Sequence, residues 1–460
     1  MTSYTRRDPS LAKALTFAPL VTLGVVASPS GHKPYLALRH RDFRRMAISM
    51  FVSLVGTQMQ NVAIDWHVWV LTRSPLALGL VGLVRVVPIV ILSLVGGLVA
   101  DRRDRRRVLL VTQSTMTLVA LALGAATLLG RDSVGLVYLL TAATSAAGAF
   151  DNPSRQSLIP RLVPEKDLPG ALAIMLSAFQ LAAIAGPAFT GLLLAGAAGV
   201  GPGISAHAHA GGLAVIYFLN AASFFGVLLT LYTLKTSGEV ARTEGAPENP
   251  LASLKEGLRF VFTTPIVVWT MSLDFFATFF SGSMSLLPIF ADQILKTGPA
   301  GYGWLRAAPG LGALLGSLWS SVRGIPRRQG RVFLWAVAAY GATTIVFGLS
   351  RSFALTFAAL ALVGLSDTIS TVVRQTVRQL VTPDAFRGRM TGVNMIFFMG
   401  GPQLGELEAG FVASLFASVA MGATVAVVSG GVGTILFVAF IAARAKVVRE
   451  YDWSFAPSSS

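Results

Sequence analysis

Twelve stretches of about 20 apolar residues, the length that carries a helix across a bilayer, follow one another between residues 44 and 443. The expected spans are 44–71, 75–99, 108–130, 133–155, 168–196, 213–234, 264–291, 300–322, 331–350, 353–375, 388–416 and 418–443. The composition agrees with that reading. Apolar residues make up 53% of the 460-residue chain and charged residues 13%, against about 25% charged in soluble proteins. So few charges cannot cover a water-facing surface of this size, which leaves lipid as the surroundings. The fold class expected is an all-α membrane protein with twelve transmembrane helices.

The net charge of +16 would suggest nucleic acid if it lay on one face. It is distributed by loop instead. With the N-terminus taken as cytoplasmic, 27 of the 37 Lys and Arg fall on inner segments, and four (Arg73, Arg131, Lys296 and Arg351) fall on outer loops. That bias sets topology, with both termini in the cytoplasm. No nucleic-acid partner is expected, and a monomer is. The absence of cysteine excludes disulfides and thiol chemistry.

The chain divides into an N-terminal tail (1–38), six spans (39–234), a polar linker with an amphipathic helix (235–263), six more spans (264–443) and a C-terminal tail (444–460). In the first tail, residues 11–28 are apolar behind Arg6 and Arg7. That pattern fits a signal-like or extra membrane segment, a surface-lying helix, or a start placed too early. The linker helix, LASLKEGLRFVF, is expected on the membrane surface.

The two halves repeat each other. Pro75, Gly79, Arg85 and Pro88 of span 2 are answered by Pro299, Gly303, Arg306 and Pro309 of span 8, with R-x-x-P spaced identically. RQSLIPRLVPE after span 4 answers RQTVRQLVTPD after span 10, and Gly186-Pro187 answers Gly401-Pro402. Two parallel six-helix repeats joined by a linker are a transporter layout.

Between spans 2 and 3 the chain reads GLVADRRDRRR. This resembles the signature loop of the major facilitator superfamily, with Gly97, Asp101, Arg102, Arg105 and Arg106 in register and Asp104 where a glycine is usual. The resemblance implies a conformational lock, in which Asp101 caps a helix start or pairs with an arginine of span 4. Span 5 carries AAIAGPAFTG, similar to the glycine-proline element of proton-driven exporters. Gly186, Pro187 and Gly191 match it, and the small residues allow close packing around a bend. With the linker helix and TPDAFRGRM, these words resemble the enterobactin-exporter branch of the superfamily, which includes macrolide-type pumps. The likeness runs from residue 36 to 445. It implies the two-bundle major facilitator fold, a bacterial inner membrane and small-molecule export, and leaves the cargo open between siderophore and hydrophobic drug-like compounds.

Ionisable groups inside spans are functional candidates. Gln58, Asn61 and Asp65 share a face of span 1, although Trp66 and Trp69 nearby suggest that Asp65 lies at the wet outer interface. Asp274 sits deep in span 7. Glu406 and Glu408 follow the Gly401-Pro402 kink and point in different directions. A carboxyl in so dry a setting suits proton uptake and release, in the order Glu406, Asp65, Asp274. Asp151 with Arg155, and Asp367 with Thr371 and Arg374, share helix faces and read as gate ion pairs. Arg85 and Arg306 are buried cations that bind an anionic cargo or hold an acidic partner.

No lysine follows a glycine, so there is no nucleotide-binding loop of the Walker type. His67 is the sole histidine in a span and no G-x-S-x-G motif exists, which argues against a hydrolase. His207-Ala-His209 is weak support for a metal, and none is expected. The chain is therefore read as no enzyme and as free of cofactors. Its energy source would be the proton-motive force, and its partners lipid, protons and a small molecule. An importer or facilitator, a channel, and a non-transporting receptor or scaffold stand as alternatives.

Overall fold

The computed structural model describes residues 34–198, 206–234, 250–323, 328–382 and 387–452. Most of the tail expected to be signal-like, the start of the linker and the outer loop before His207 lie outside them. The described residues are almost wholly helical. The first half contains α1 (Arg41–Thr72), α2 (Pro75–Arg102), α3 (Arg105–Leu128), α4 (Val134–Leu158), α5 (Leu168–Ala198) and α6 (Ala206–Thr233). The linker helix is α7 (Pro250–Thr263). The second half contains α8 (Pro265–Phe280), α9 (Gly298–Arg323), α10 (Gln329–Leu349), α11 (Phe353–Val381), α12 (Arg387–Ser414) and α13 (Val419–Arg444).

Ten of the described helices, counting the broken segment Pro265–Ile294 as one, are long and apolar enough to cross a bilayer. The glycine-rich α9 and α12 match their neighbours in length and pack among them, consistent with twelve spans. Short connections are cut by capping residues. Ser74, Ser133 and Ser418 each accept a hydrogen bond from a backbone N–H of the first turn, at 3.3–3.4 Å, and Pro75 supplies a first helical position that needs no donor.

Span 7 departs from the expected continuous helix. It stops at Phe280, where Ser281-Gly282-Ser283 interrupts the apolar run, and resumes as short turns and a π-helix over Phe290–Ile294. The break has a packing reason. A side chain at Gly282 would lie 2.7 Å from the backbone of Gly405 and 2.9 Å from the amide of Glu406, so the bare backbone lets span 7 press against α12.

The halves pack alike. α1 lies against α5 and α6, α2 against α4, and α3 against α4 and α6; α8 lies against α12 and α13, α9 against α11, and α10 against α11 and α13. The two most extensive contacts between the halves are α5 with α9 and α2 with α12. Both need bare backbones, because a methyl at Gly191 would stand 2.8 Å from the Cα of Gly303, and one at Gly79 3.0 Å from the Cα of Gly410. At the end away from the chain termini, here the far side, buried apolar residues of both halves form one core that includes Trp69, Leu78, Leu286 and Tyr302. Toward the termini the halves keep separate cores, around Phe43 and Leu109 in one and Val267 and Phe333 in the other. The molecule is sealed at its far side.

Candidate functional site

The seal has a charged underside. Asp65 of α1 is 2% exposed and accepts a hydrogen bond from Arg85 of α2 at 2.9 Å; Arg306 of α9 pairs with its second oxygen at 3.6 Å. Arg85 also donates to the carbonyl of Asn61 at 2.9 Å, and Asn61 donates to Gln58 at 3.4 Å, so the expected α1 face is one polar strip. Asp65 is not at a wet interface. Trp66 and Trp69 are buried, because they line the seam between halves rather than the headgroup layer. Trp66 stacks on Tyr302 of α9 at 5.3 Å, and the Tyr302 hydroxyl donates to the carbonyl of Val62 at 3.2 Å.

Glu406 completes the cluster from α12. It is 6% exposed, and one of its carboxylate oxygens lies 2.9 Å from where a Cβ on Gly82 of α2 would stand. That oxygen has no hydrogen-bond partner; neither have Oδ2 of Asp65 and Nε of Arg85. Two carboxyls and two guanidiniums, from four helices and both halves, thus share a dry site in which hydrogen bonding is incomplete. Such a site can exchange a proton or an ionic ligand, since unmet polar groups in low dielectric are costly. Glu408, two residues on, points elsewhere and is half-buried, with one enclosed and unbonded oxygen.

The ion pairs nearer the termini partly depart from expectation. Asp151 and Arg155 pair within α4, and Asp151 also accepts from Thr112 (2.9 Å) and Gln113 (2.7 Å) of α3. Arg374 does not reach Asp367. It pairs with Asp274 of α8 and donates to Thr371 at 3.1 Å. Seven residues along a helix is a rise of about 10 Å, whereas Asp274 faces Arg374 directly from the neighbouring span. Asp274 is therefore committed to an arginine rather than standing as an unpaired carboxyl in the centre. Asp367 forms no ion pair among the described residues.

In the signature loop, the side chains of Gly97, Asp101 and Arg102 lie outside the described ones. Arg105 donates to the carbonyl of Ser157 (3.3 Å) and Arg106 to that of Tyr232 (2.8 Å), at the ends of α4 and α6, where cations are favoured. α2 continues through Asp101, so the cap of α3 is not Asp101 but Asp104, which accepts from the amides of Arg106 (2.8 Å) and Arg107 (3.2 Å). Gly186 and Gly191 serve different contacts: Gly186 lies against α1, and Gly191 against Gly303 of the other half. Thr190 donates to the carbonyls of Gly186 (3.0 Å) and Met59 (3.1 Å), tying the Pro187-bearing stretch of α5 to α1.

Of two far-side groups, Asp292 went unread in the sequence, and His67, expected there as an interfacial residue, is buried. Asp292, in the π-helical turn, accepts from Trp69 at 3.1 Å and pairs with Arg73, whose guanidinium also lies 5.2 Å from the Trp69 ring. This links the first span of each half. His67 is buried between Asp132 (2.7 Å) and Tyr217 (2.9 Å). A charge next to the break in span 7 was the available signal for Asp292; nothing local marked the partners of His67.

The family described as transmembrane secretion effector matches residues 32–459. The chain belongs to this family of the major facilitator superfamily. It is similar to the enterobactin exporter EntS of Escherichia coli O1:K1 / APEC, at 28% identity over 381 residues that cover 83% of this chain and 87% of that protein. Among solved structures, it resembles a bacterial homologue of the human lysosomal transporter Spinster in its inward-facing, unoccupied conformation. There the TM-score is 0.68 at 15% identity, covering 91% of this chain and 98% of that one. It also resembles a D-xylose-proton symporter, with a TM-score of 0.64 at 14% identity, covering 86% and 96% of the two chains. The chain is thus a multi-pass membrane transporter and no enzyme, with the two-bundle fold that the repeats implied.

Proposed function

We propose that this protein exports small molecules by proton antiport and alternating access, with both termini cytoplasmic and the far side facing outward. The cargo class is a siderophore of the catecholate kind or a hydrophobic drug-like compound. The observation that carries the reading is Glu406. Its carboxyl is buried at the seam, lacks one hydrogen bond, and lies in a cluster shared by both halves, so any rocking of the halves changes its surroundings. Coupling needs a carboxyl whose affinity for a proton differs between two states. Similarity to an enterobactin exporter supports the direction and the cargo class, and the positive charges on the termini side support the orientation. The signature loop at Asp101 is proposed as the lock that closes the termini side when the far side opens.

The test is transport in everted vesicles energised by a proton gradient, with a catecholate siderophore and a hydrophobic dye as cargoes. Glu406→Gln should abolish accumulation against a gradient while leaving downhill exchange intact. Undiminished uphill accumulation by Glu406→Gln would remove Glu406 from the coupling role. Cargo movement in the opposite sense would make the protein an importer.

A further inference from the structure

Among the described residues, Arg85 and Arg306 alone neutralise the cluster, and they are not held alike. Arg85 and Asp65 belong to the same half and stay together whatever the halves do. Arg306 reaches Asp65 across the seam, at 3.6 Å, and its side chain remains 20% exposed. Opening the far side must draw α9 away from α1, and it breaks the Tyr302 contacts to Val62 and Trp66 along with this ion pair. A guanidinium left in so dry a place without an anion is strongly disfavoured. Its own half offers a replacement. Glu406 rides on α12 in the same half, buried with its unbonded oxygen against Gly82, one turn before Arg85. Asp274 is occupied by Arg374.

We propose that Arg306 changes partner during the transport cycle: it pairs with Asp65 when the far side is closed, as here, and with Glu406 when it opens. Each half is then balanced on its own in the open state, as Asp65 with Arg85 and Glu406 with Arg306. In the closed state Arg306 is claimed by Asp65, and the unbonded oxygen of Glu406 is what remains. In the open state a proton arriving from the far side takes that oxygen and frees Arg306 to return to Asp65; its release on the termini side leaves the charge that draws Arg306 back. The exchange rests on the reading of Glu406 as the coupling carboxyl and supplies the means by which the conformation reads its charge. Arg306 is a positioning residue in this scheme, acting through Glu406.

The protein has no cysteine, so a spin-label pair can be placed without altering it otherwise. Arg131→Cys and Ser352→Cys put labels on exposed far-side positions of the two halves, and their distance distribution reports a short, closed population and a long, open one. Asp65→Asn removes the closed-state partner and should raise the long-to-short ratio at least about tenfold. Glu406→Gln removes the open-state partner and should lower it by a similar factor, or leave the short population alone if that is already all the parent shows. Should either fail to fold, Arg306→Glu with Glu406→Arg keeps the pair within the half and opposes two acids across the seam, so the long distance should dominate. Populations that stay put in Asp65→Asn, or that move the same way in both single variants, would overturn the exchange. Uphill transport is scored separately. If Glu406→Gln loses coupling while the distances do not respond, the coupling role stands and the partner exchange fails. If the distances shift as expected while coupling survives, the exchange stands and the coupling assignment fails.

Discussion

Arg85 and Arg306, equivalent residues of the two repeats, meet on one carboxylate, that of Asp65. Each precedes a helix proline by three residues, Pro88 and Pro309. The internal duplication thus delivers two cations to a site where only one half supplies an aspartate, and the imbalance is met by Glu406. The two arginines should not be equal in stability. Arg85 makes two bonds at 2.9 Å, so Arg85→Met should cost about 3 kcal/mol or more, and Arg306→Met clearly less. Thermal unfolding in one detergent compares them; the reverse order would contradict the geometry.

Asp274 and Arg374 make a closed pair rather than a coupling site. Arg374→Met strands a buried carboxylate and should cost about 3–5 kcal/mol. Adding Asp274→Leu should recover most of that loss, and the double variant should still accumulate cargo uphill. A double variant that is stable yet uncoupled would return Asp274 to the list of proton carriers.

Asp104 replaces the usual glycine of the signature loop because it caps α3. Asp104→Ala should therefore cost about 1 kcal/mol, Asp104→Gly a few tenths, and Asp104→Asn almost nothing. If the charge mattered rather than the cap, the asparagine variant would lose as much stability as the alanine one.

Much of this was legible in local signals. Span lengths, the repeat and the signature loop are written in windows of a dozen residues, and packing can only confirm such signals. The break in span 7 was also written, in Ser281-Gly282-Ser283, but the apolar residues around it mask so short an interruption. What the sequence withheld was partner choice. Same-face spacing suggested Arg374 for Asp367, yet a neighbouring helix brought Asp274 closer than two turns of the same helix could. The tryptophans beside Asp65 pointed to the membrane interface because burial between halves and burial in headgroups draw on the same side chain. Which of Glu406 and Glu408 turns inward is likewise set by the docking of α12 on α2.

Gly191 and Gly303 set how closely α5 and α9 can approach. Gly191→Leu should force them apart at a cost of about 1–3 kcal/mol and lengthen the far-side label distance. Gly148 of α4 is the control, with Met116 its nearest neighbour at 3.8 Å from an added Cβ. Gly148→Ala should be neutral or stabilising by up to about 1 kcal/mol. A gain in stability at Gly191 like that at Gly148 would show that helix propensity, not the seam, governs these sites.

The single apolar core across the far side, tied by Asp292 to Trp69 and Arg73, gives the empty protein the behaviour of a check valve. Parting it exposes large aromatic surfaces and strands charges, so an idle carrier stays shut at that end and does not let solutes drift back. The work of opening has to be brought by cargo or ions arriving from the other side. Damage to this seam should then yield a leaky transporter sooner than a dead one, and cells would feel it as lost ion gradients before lost transport.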